Sequence, residues 1–139
     1  VITVTRAIVV KQGRVLAAQR TAEMSLPLKW ELPGGKCEPG EGTLACVVRE
    51  TQEELGYRVL VVESLDSFET QLGTKQFLMV PFVAVVTGGH MQLSEHADAV
   101  WQPIPQLMDL DWAPAERRIL EEWLVLTSAR KPEEAASSL

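Results

Sequence analysis

Three carboxylates stand close together in the chain, Glu50, Glu53 and Glu54, with Arg49 beside them. Spacings of three and four residues place side chains on adjacent turns of a helix, so Glu50 would neighbour both Glu53 and Glu54. Turning about 100° per residue from Leu44, an apolar stripe of Leu44, Val48, Thr51 and Leu55 is expected to face the core. The three glutamates then fall on roughly the opposite side. Like charges that close repel, and Arg49 offsets part of the repulsion through its i,i+4 relation to Glu53. A solvated acidic face is the common use of such a pattern. The other use is a hard divalent cation, which takes carboxylate oxygens and keeps waters or phosphates as its remaining ligands.

What precedes the acidic stretch bears on that choice. The run Pro33-Gly34-Gly35-Lys36-Cys37-Glu38-Pro39-Gly40-Glu41-Gly42 has glycines that let the backbone approach a ligand closely, and Lys36 adds a cation. Together the two segments read Gly35-x5-Glu41-x7-Arg49-Glu50-x2-Glu53-Glu54-x-Gly56. This resembles the signature of the Nudix hydrolase family, with every fixed residue present at the family's spacing. Two soft positions depart, since Thr51 and Tyr57 stand where aliphatic residues are usual. The segment from Trp30 to Lys36 is similar to the lead-in of the MutT-type members, and Glu95, Trp101 and Pro114-Ala115-Glu116 also fit that subgroup.

The resemblance implies water attack on a nucleotide's phosphoanhydride, with Mg²⁺ as cofactor and Mn²⁺ as a substitute. It implies metal ligation by Gly35, Glu50, Glu53 and Glu54, with Glu95, whose plainer use is as an exposed loop acid, as a further ligand and the leading alternative to Glu50 as general base. By the same resemblance Arg49, Glu50 and Glu53 are expected to form the catalytic set, and Gly34, Glu41 and Gly56 to give the motif its shape. Lys36 and Arg20 are the cations best placed for phosphates, although Arg20 serves equally as a strand-end surface charge. Glu116 matches the position that reads the base edge. A carboxylate only accepts hydrogen bonds, which suits guanine N1–H and N2–H₂ or the cytosine amine. Its plainer use is as an acid at a helix start. Leu32, Leu72 and Phe77 are candidate walls for the base, with core packing as the alternative for each.

Elements must hold these residues in place. Ile2 to Val10 reads as a strand, Lys11 to Gly13 as a turn, and Arg14 to Gln19 as a second strand. Thr21 to Leu28 is a loop, and Trp30 to Leu32 is a short strand that Pro33-Gly34-Gly35 must break. Thr43 to Leu55 is the clearest helix. Extended structure follows over Tyr57 to Gln71 and Gln76 to Val86, where Pro81 suggests an edge or a bulge. Thr87 to Gly89 is expected to turn, Ala97 to Ile104 to form the last strand, and Pro114 to Leu126 a helix with Pro114 in its first turn. The order predicts an α/β (α+β) domain, a mixed sheet sandwiched between helices, over residues 1–128, with a frayed tail over 129–139. The Nudix resemblance implies the same α/β/α arrangement.

The chain's 139 residues, 46% hydrophobic and 23% charged, are ordinary for one globular domain. Its net charge of −6 argues against nucleic-acid polymers and anionic membranes as partners, and a polyanionic small molecule would need cations between. No apolar run reaches membrane-spanning length, and no signal peptide is seen. The start at Val1 suggests a trimmed terminus. Cys37 and Cys46 are read as free thiols, which places the protein in the cytoplasm, as a monomer or homodimer. His90 and His96 lack metal-ligand spacing and are expected at the surface or in turns, and Trp30, Trp101, Trp112 and Trp123 in packing.

The expected activity is conversion of a nucleoside triphosphate to its monophosphate and pyrophosphate, on an oxidised purine such as 8-oxo-dGTP or on a cytidine nucleotide. The alternatives are hydrolysis of ADP-ribose or dinucleoside polyphosphates, and a non-catalytic nucleotide-binding module. A calcium-binding domain would need an alternating loop of oxygen ligands that the chain lacks.

Overall fold

Strand β1 (Ile2–Lys11) is the spine of the computed structural model, which describes residues 1–130. It lies parallel to β6 (Lys75–Gly89) in register from Ile2 opposite Phe77 to Val10 opposite Val85. A tight turn brings β2 (Arg14–Gln19) back antiparallel to β1, and β2 then carries β3 (Trp30–Glu31) and β7 (Asp98–Pro103). On the other flank, β6 pairs first with β5 (Phe68–Leu72) and then with β4 (Tyr57–Ser64). The result is one seven-stranded mixed sheet. Pro81 sits where β6 changes partner from β5 to β4, so its missing N–H costs no ladder bond there, and its carbonyl accepts from Leu65 N–H.

Alternation along the strands sends side chains to opposite faces, and both faces are apolar. Ala7, Val9, Leu16 and Ala18 pack with Val47 and Leu55 of helix α1 (Thr43–Leu55). Ile8, Val10, Val15 and Ala17 pack with Ile119, Leu120 and Trp123 of helix α2 (Pro114–Ala129). A sheet buried on both sides between helices is the expected sandwich.

Three expectations about elements need correction. Leu44 is 55% exposed, while Cys46, Val47, Thr51 and Leu55 are the buried residues of α1. The loop of residues 33–37 packs against the helix at Cys46, whose thiol lies 3.4 Å from Thr5 Oγ1 and 3.6 Å from the Gly35 carbonyl, and this turns the buried face away from Leu44. Thr87 to Gly89 does not turn but continues β6, with Arg58 opposite Gly88 and Tyr57 opposite Gly89. Its glycines serve close approach instead. A Cβ on Gly88 would collide with the Arg58 guanidinium, and one on Gly89 with the Gly56 carbonyl. Helix α2 runs to Ala129 rather than Leu126, and Arg130 after it pairs with Glu63. The remainder of the expected frayed tail, 131–139, lies outside the described residues.

Candidate active site

The glycine loop is laid along β1 by backbone hydrogen bonds. Ala7 N–H donates to the Pro33 carbonyl at 2.8 Å, Thr5 N–H to Gly35 at 2.9 Å, and Cys37 N–H to Thr3 at 3.0 Å. Gly34 has φ of 139°, and a Cβ there would run into the Thr5 carbonyl, so only glycine lets the loop lie this close. Gly34 N–H then donates to Glu54 Oε1 at 3.0 Å. Gly35 does a different job. A Cβ on it would sit 2.5 Å from Glu50 Oε2, so the glycine leaves room for that carboxylate beside the loop. Gly56 closes α1 in the left-handed conformation at φ 82°, its N–H returning to the Gln52 carbonyl.

Arg49 organises the exposed side of the helix. Its Nε and Nη2 bind the two oxygens of Glu41 at 2.7 and 2.9 Å, a bidentate pair. Its Nη1 reaches Glu50 at 3.0 Å and Glu53 at 2.9 Å. Hydrogen bonds from Arg49 and from the Glu38 N–H hold the Glu41 carboxyl down at about 2. Glu41 therefore acts as a brace between the loop and the helix.

Glu54 stands apart from Glu50 and Glu53. It turns inward, and ligand atoms of Glu31, Glu54 and His96 all lie within 4.8 Å of one another. Burial pushes its carboxyl up to about 7, with the Gly34 N–H and the charges of Arg6 and His96 pulling the other way. His96 corrects the sequence reading, which put it at the surface or in a turn. It is buried, and its Nε2 lies 2.7 Å from Glu31 Oε2. Glu31 Oε1 accepts from Arg20 Nη1 at 2.7 Å and lies 3.6 Å from Arg6 Nη2. Burial works to raise the Glu31 carboxyl, but His96, Arg6 and Arg20 outweigh it and hold the group at about 2.

The other candidate residues are distributed as follows. Arg20 is engaged with Glu31 and with the carbonyl and hydroxyl of Ser25. Lys36 is exposed, in no ion pair among the described residues, and only its carbonyl meets Arg49. Glu95 is exposed on the loop before β7. Glu116 is 3% exposed at the start of α2 and accepts from Arg6 Nε. Burial raises the Glu116 carboxyl, while Arg6 pulls it back in part. Leu32 is fully inside the core and Phe77 packs against the same cluster, whereas Leu72 is 45% exposed at the β5–β6 hairpin. Trp112 and Trp123 are buried, and Trp101 packs edge-on against Tyr57.

No motif assigns a role to Arg6, Glu31 or His96, although Glu31 lies within the segment from Trp30 to Lys36. One signal was present, since Arg6 is a charge inside the apolar run from Ile2 to Val10, and a buried guanidinium must find carboxylates. Carboxylate oxygens suit a hard divalent cation, and Glu50 and Glu53 stand together on Arg49 with Glu50 seated beside Gly35, while Glu54 groups instead with Glu31 and His96.

The NUDIX domain model matches residues 2–123. The chain belongs to the Nudix hydrolase family, enzymes acting on phosphoanhydride bonds. It is 33% identical over 129 residues to the CTP pyrophosphohydrolase of Escherichia coli, covering 93% of this chain and 96% of that protein. It is 34% identical over 110 residues to a protein described as putative 8-oxo-dGTP diphosphatase 2 from Mycobacterium tuberculosis, covering 78% of each. The solution structure of the Escherichia coli ORF135 protein superposes with a TM-score of 0.79 at 32% identity, over 94% of both chains. No helix among the described residues is long and apolar enough to cross a membrane.

Proposed function

We propose that this Nudix hydrolase is a Mg²⁺-dependent nucleoside triphosphate pyrophosphohydrolase that releases the monophosphate and pyrophosphate, acting in the cytoplasm on free nucleotides rather than nucleic-acid polymers. The observation that carries the reading is the placement of Glu50. Its carboxylate is held against the Gly35 backbone and tied by Arg49 into the same braced unit as Glu41 and Glu53.

In this reading Glu50 orients the attacking water and takes its proton on a carboxylate oxygen. Arg49 fixes the direction of that carboxylate and keeps Glu53 beside it. Gly35, Glu50, Glu53, Glu54 and Glu95 would hold the cation, with Mn²⁺ able to replace Mg²⁺. When bound, the metal supplies charge neutralisation for the polyphosphate and an acidified water. Without it, four carboxylates would repel a triphosphate carrying about four negative charges. Lys36, exposed at the loop, meets the phosphates.

Relatives named for CTP and 8-oxo-dGTP hydrolysis support a cytosine or oxidised-guanine base. Glu116 offers acceptor oxygens, and Arg6 beside it offers donors. The pair suits an edge with both an amine and ring acceptors, which cytosine presents. Glu50→Gln tests the mechanism. It is expected to fold normally and to lose about 10²–10⁴-fold in kcat, the usual worth of general-base assistance. Turnover near wild type would move the base elsewhere, with Glu95 the next to test.

A further inference from the structure

The loop after β6 is clipped to the protein at several points around Glu95. Gln92 N–H donates to the Leu55 carbonyl at 3.0 Å, and Ser94 N–H to the Glu54 carbonyl at 3.2 Å. Ala97 N–H donates to the Gln19 carbonyl at 2.9 Å. Glu95 itself lies between Ser94, fastened to the end of α1, and His96, fastened to Glu31. The His96 side chain, 3% exposed, makes the one side-chain hydrogen bond of this loop among the described residues. Its target is itself immobilised, because Glu31, on the end strand β3, is gripped by Arg20 and faces Arg6 of the central strand β1. Besides the Ala97 N–H bond to Gln19 at the end of β2, the imidazole is the loop's side-chain tie to the sheet, and it also lies beside the Glu54 carboxylate.

We infer that His96 is a positioning residue for the hydrolytic site, holding the Glu95 loop against the sheet and the Glu54 carboxylate in its inward setting through its Nε2 bond to Glu31. The inference rests on the proposed use of Glu54 and Glu95 as cation ligands. A carboxylate whose neighbours are fixed needs no reorganisation when the cation arrives, and loss of such supporting contacts typically costs about 10–100-fold in metal affinity or activity. His96 Nδ1 has no hydrogen-bond partner although it is buried, so the bond to Glu31 is the ring's one hydrogen bond among the described residues.

The atom that makes the bond suggests the test. A glutamine amide nitrogen superposes on His Nε2, whereas an asparagine amide reaches only the Nδ1 position. His96→Gln should therefore keep Mn²⁺ affinity, read by electron paramagnetic resonance on the whole protein without nucleotide, within about threefold of wild type. His96→Asn should weaken it by about 10–100-fold, with kcat falling in parallel and nucleotide KM changing far less. Melting temperatures of the two variants are compared first, because a purely structural role would lower stability without separating Gln from Asn in metal affinity. Equal affinities of both variants and wild type would overturn the inference. So would equal losses in both variants. Glu53→Gln serves as the reference: if it also leaves Mn²⁺ binding unchanged, the proposed metal site has failed, and not merely the role of His96.

Discussion

Replacing Gly35 with alanine separates chemistry from folding. The new Cβ would lie 2.5 Å from Glu50 Oε2 and 2.6 Å from its Cδ, where ordinary contact begins at 3.4 Å, so roughly 0.9 Å must be recovered. The atoms that yield are the far end of a flexible side chain, and Gly35 is not among the residues with positive φ, so alanine strains no backbone. The carboxylate moves and the fold does not. A misplacement of about 1 Å at a reacting group costs about 10²-fold, or roughly 2.7 kcal/mol on the barrier. Gly35→Ala is thus expected to melt within a few degrees of wild type and to lose about 10²-fold in kcat. Pyrophosphate release measures the rate and circular dichroism the melting. Gly34→Ala is the contrasting control. Its Cβ would meet backbone, lying 2.7 Å from the Thr5 carbonyl carbon and 2.9 Å from Arg6 Cα, in a conformation that L residues rarely adopt. That variant should lose folded protein altogether. A folded Gly35→Ala enzyme with kcat within about threefold of wild type would refute the argument that this contact places a reacting carboxylate.

Two further outcomes follow from the buried charges. Glu116→Ala leaves buried Arg6 with Glu31, 3.6 Å away, as its one ion-pair partner among the described residues, so stability should fall by about 3 kcal/mol, roughly 10 °C in melting temperature. The double variant Arg6→Met, Glu116→Leu should recover most of that loss, because removing both charges leaves none unpaired. Glu31, held at about 2 against an ordinary 4.5, stabilises the folded state above pH 4.5 and loses that contribution as pH falls from 4.5 to 2. The shift corresponds to about 3 kcal/mol, so denaturant unfolding of metal-free protein should show a steep decline in that window, flattened in Glu31→Gln.

The parts of the site legible in the sequence were local. Helix α1 has the bounds expected from its pattern, and the glycines beside it announced a close approach. The direction of its buried face was less legible, because Leu44 and Cys46 compete for the inside and the loop's contact with Cys46 decides. Residues 87–89 were unreadable for a similar reason. Glycine marks a turn or a close approach, and only the partner strand tells which. The His96–Glu31 bond spans 65 residues and obeys no periodicity. What the sequence did carry was imbalance. Arg6 inside an apolar strand required buried acid, and Glu31 and Glu116 supply it from two other elements.

In the proposed function a triphosphate is cut by water to the monophosphate and pyrophosphate at the carboxylate site of Glu50. The most direct measurement is a substrate panel with Mg²⁺, resolved by chromatography, comparing wild type with Glu50→Gln. The panel contains CTP, dCTP, 8-oxo-dGTP, the standard triphosphates, ADP-ribose and a dinucleoside polyphosphate. Wild type should yield monophosphate and pyrophosphate from a cytidine or oxidised-guanine triphosphate, and Glu50→Gln should not. Diphosphate and orthophosphate as products, or cleavage confined to ADP-ribose or the dinucleoside polyphosphate, would contradict it.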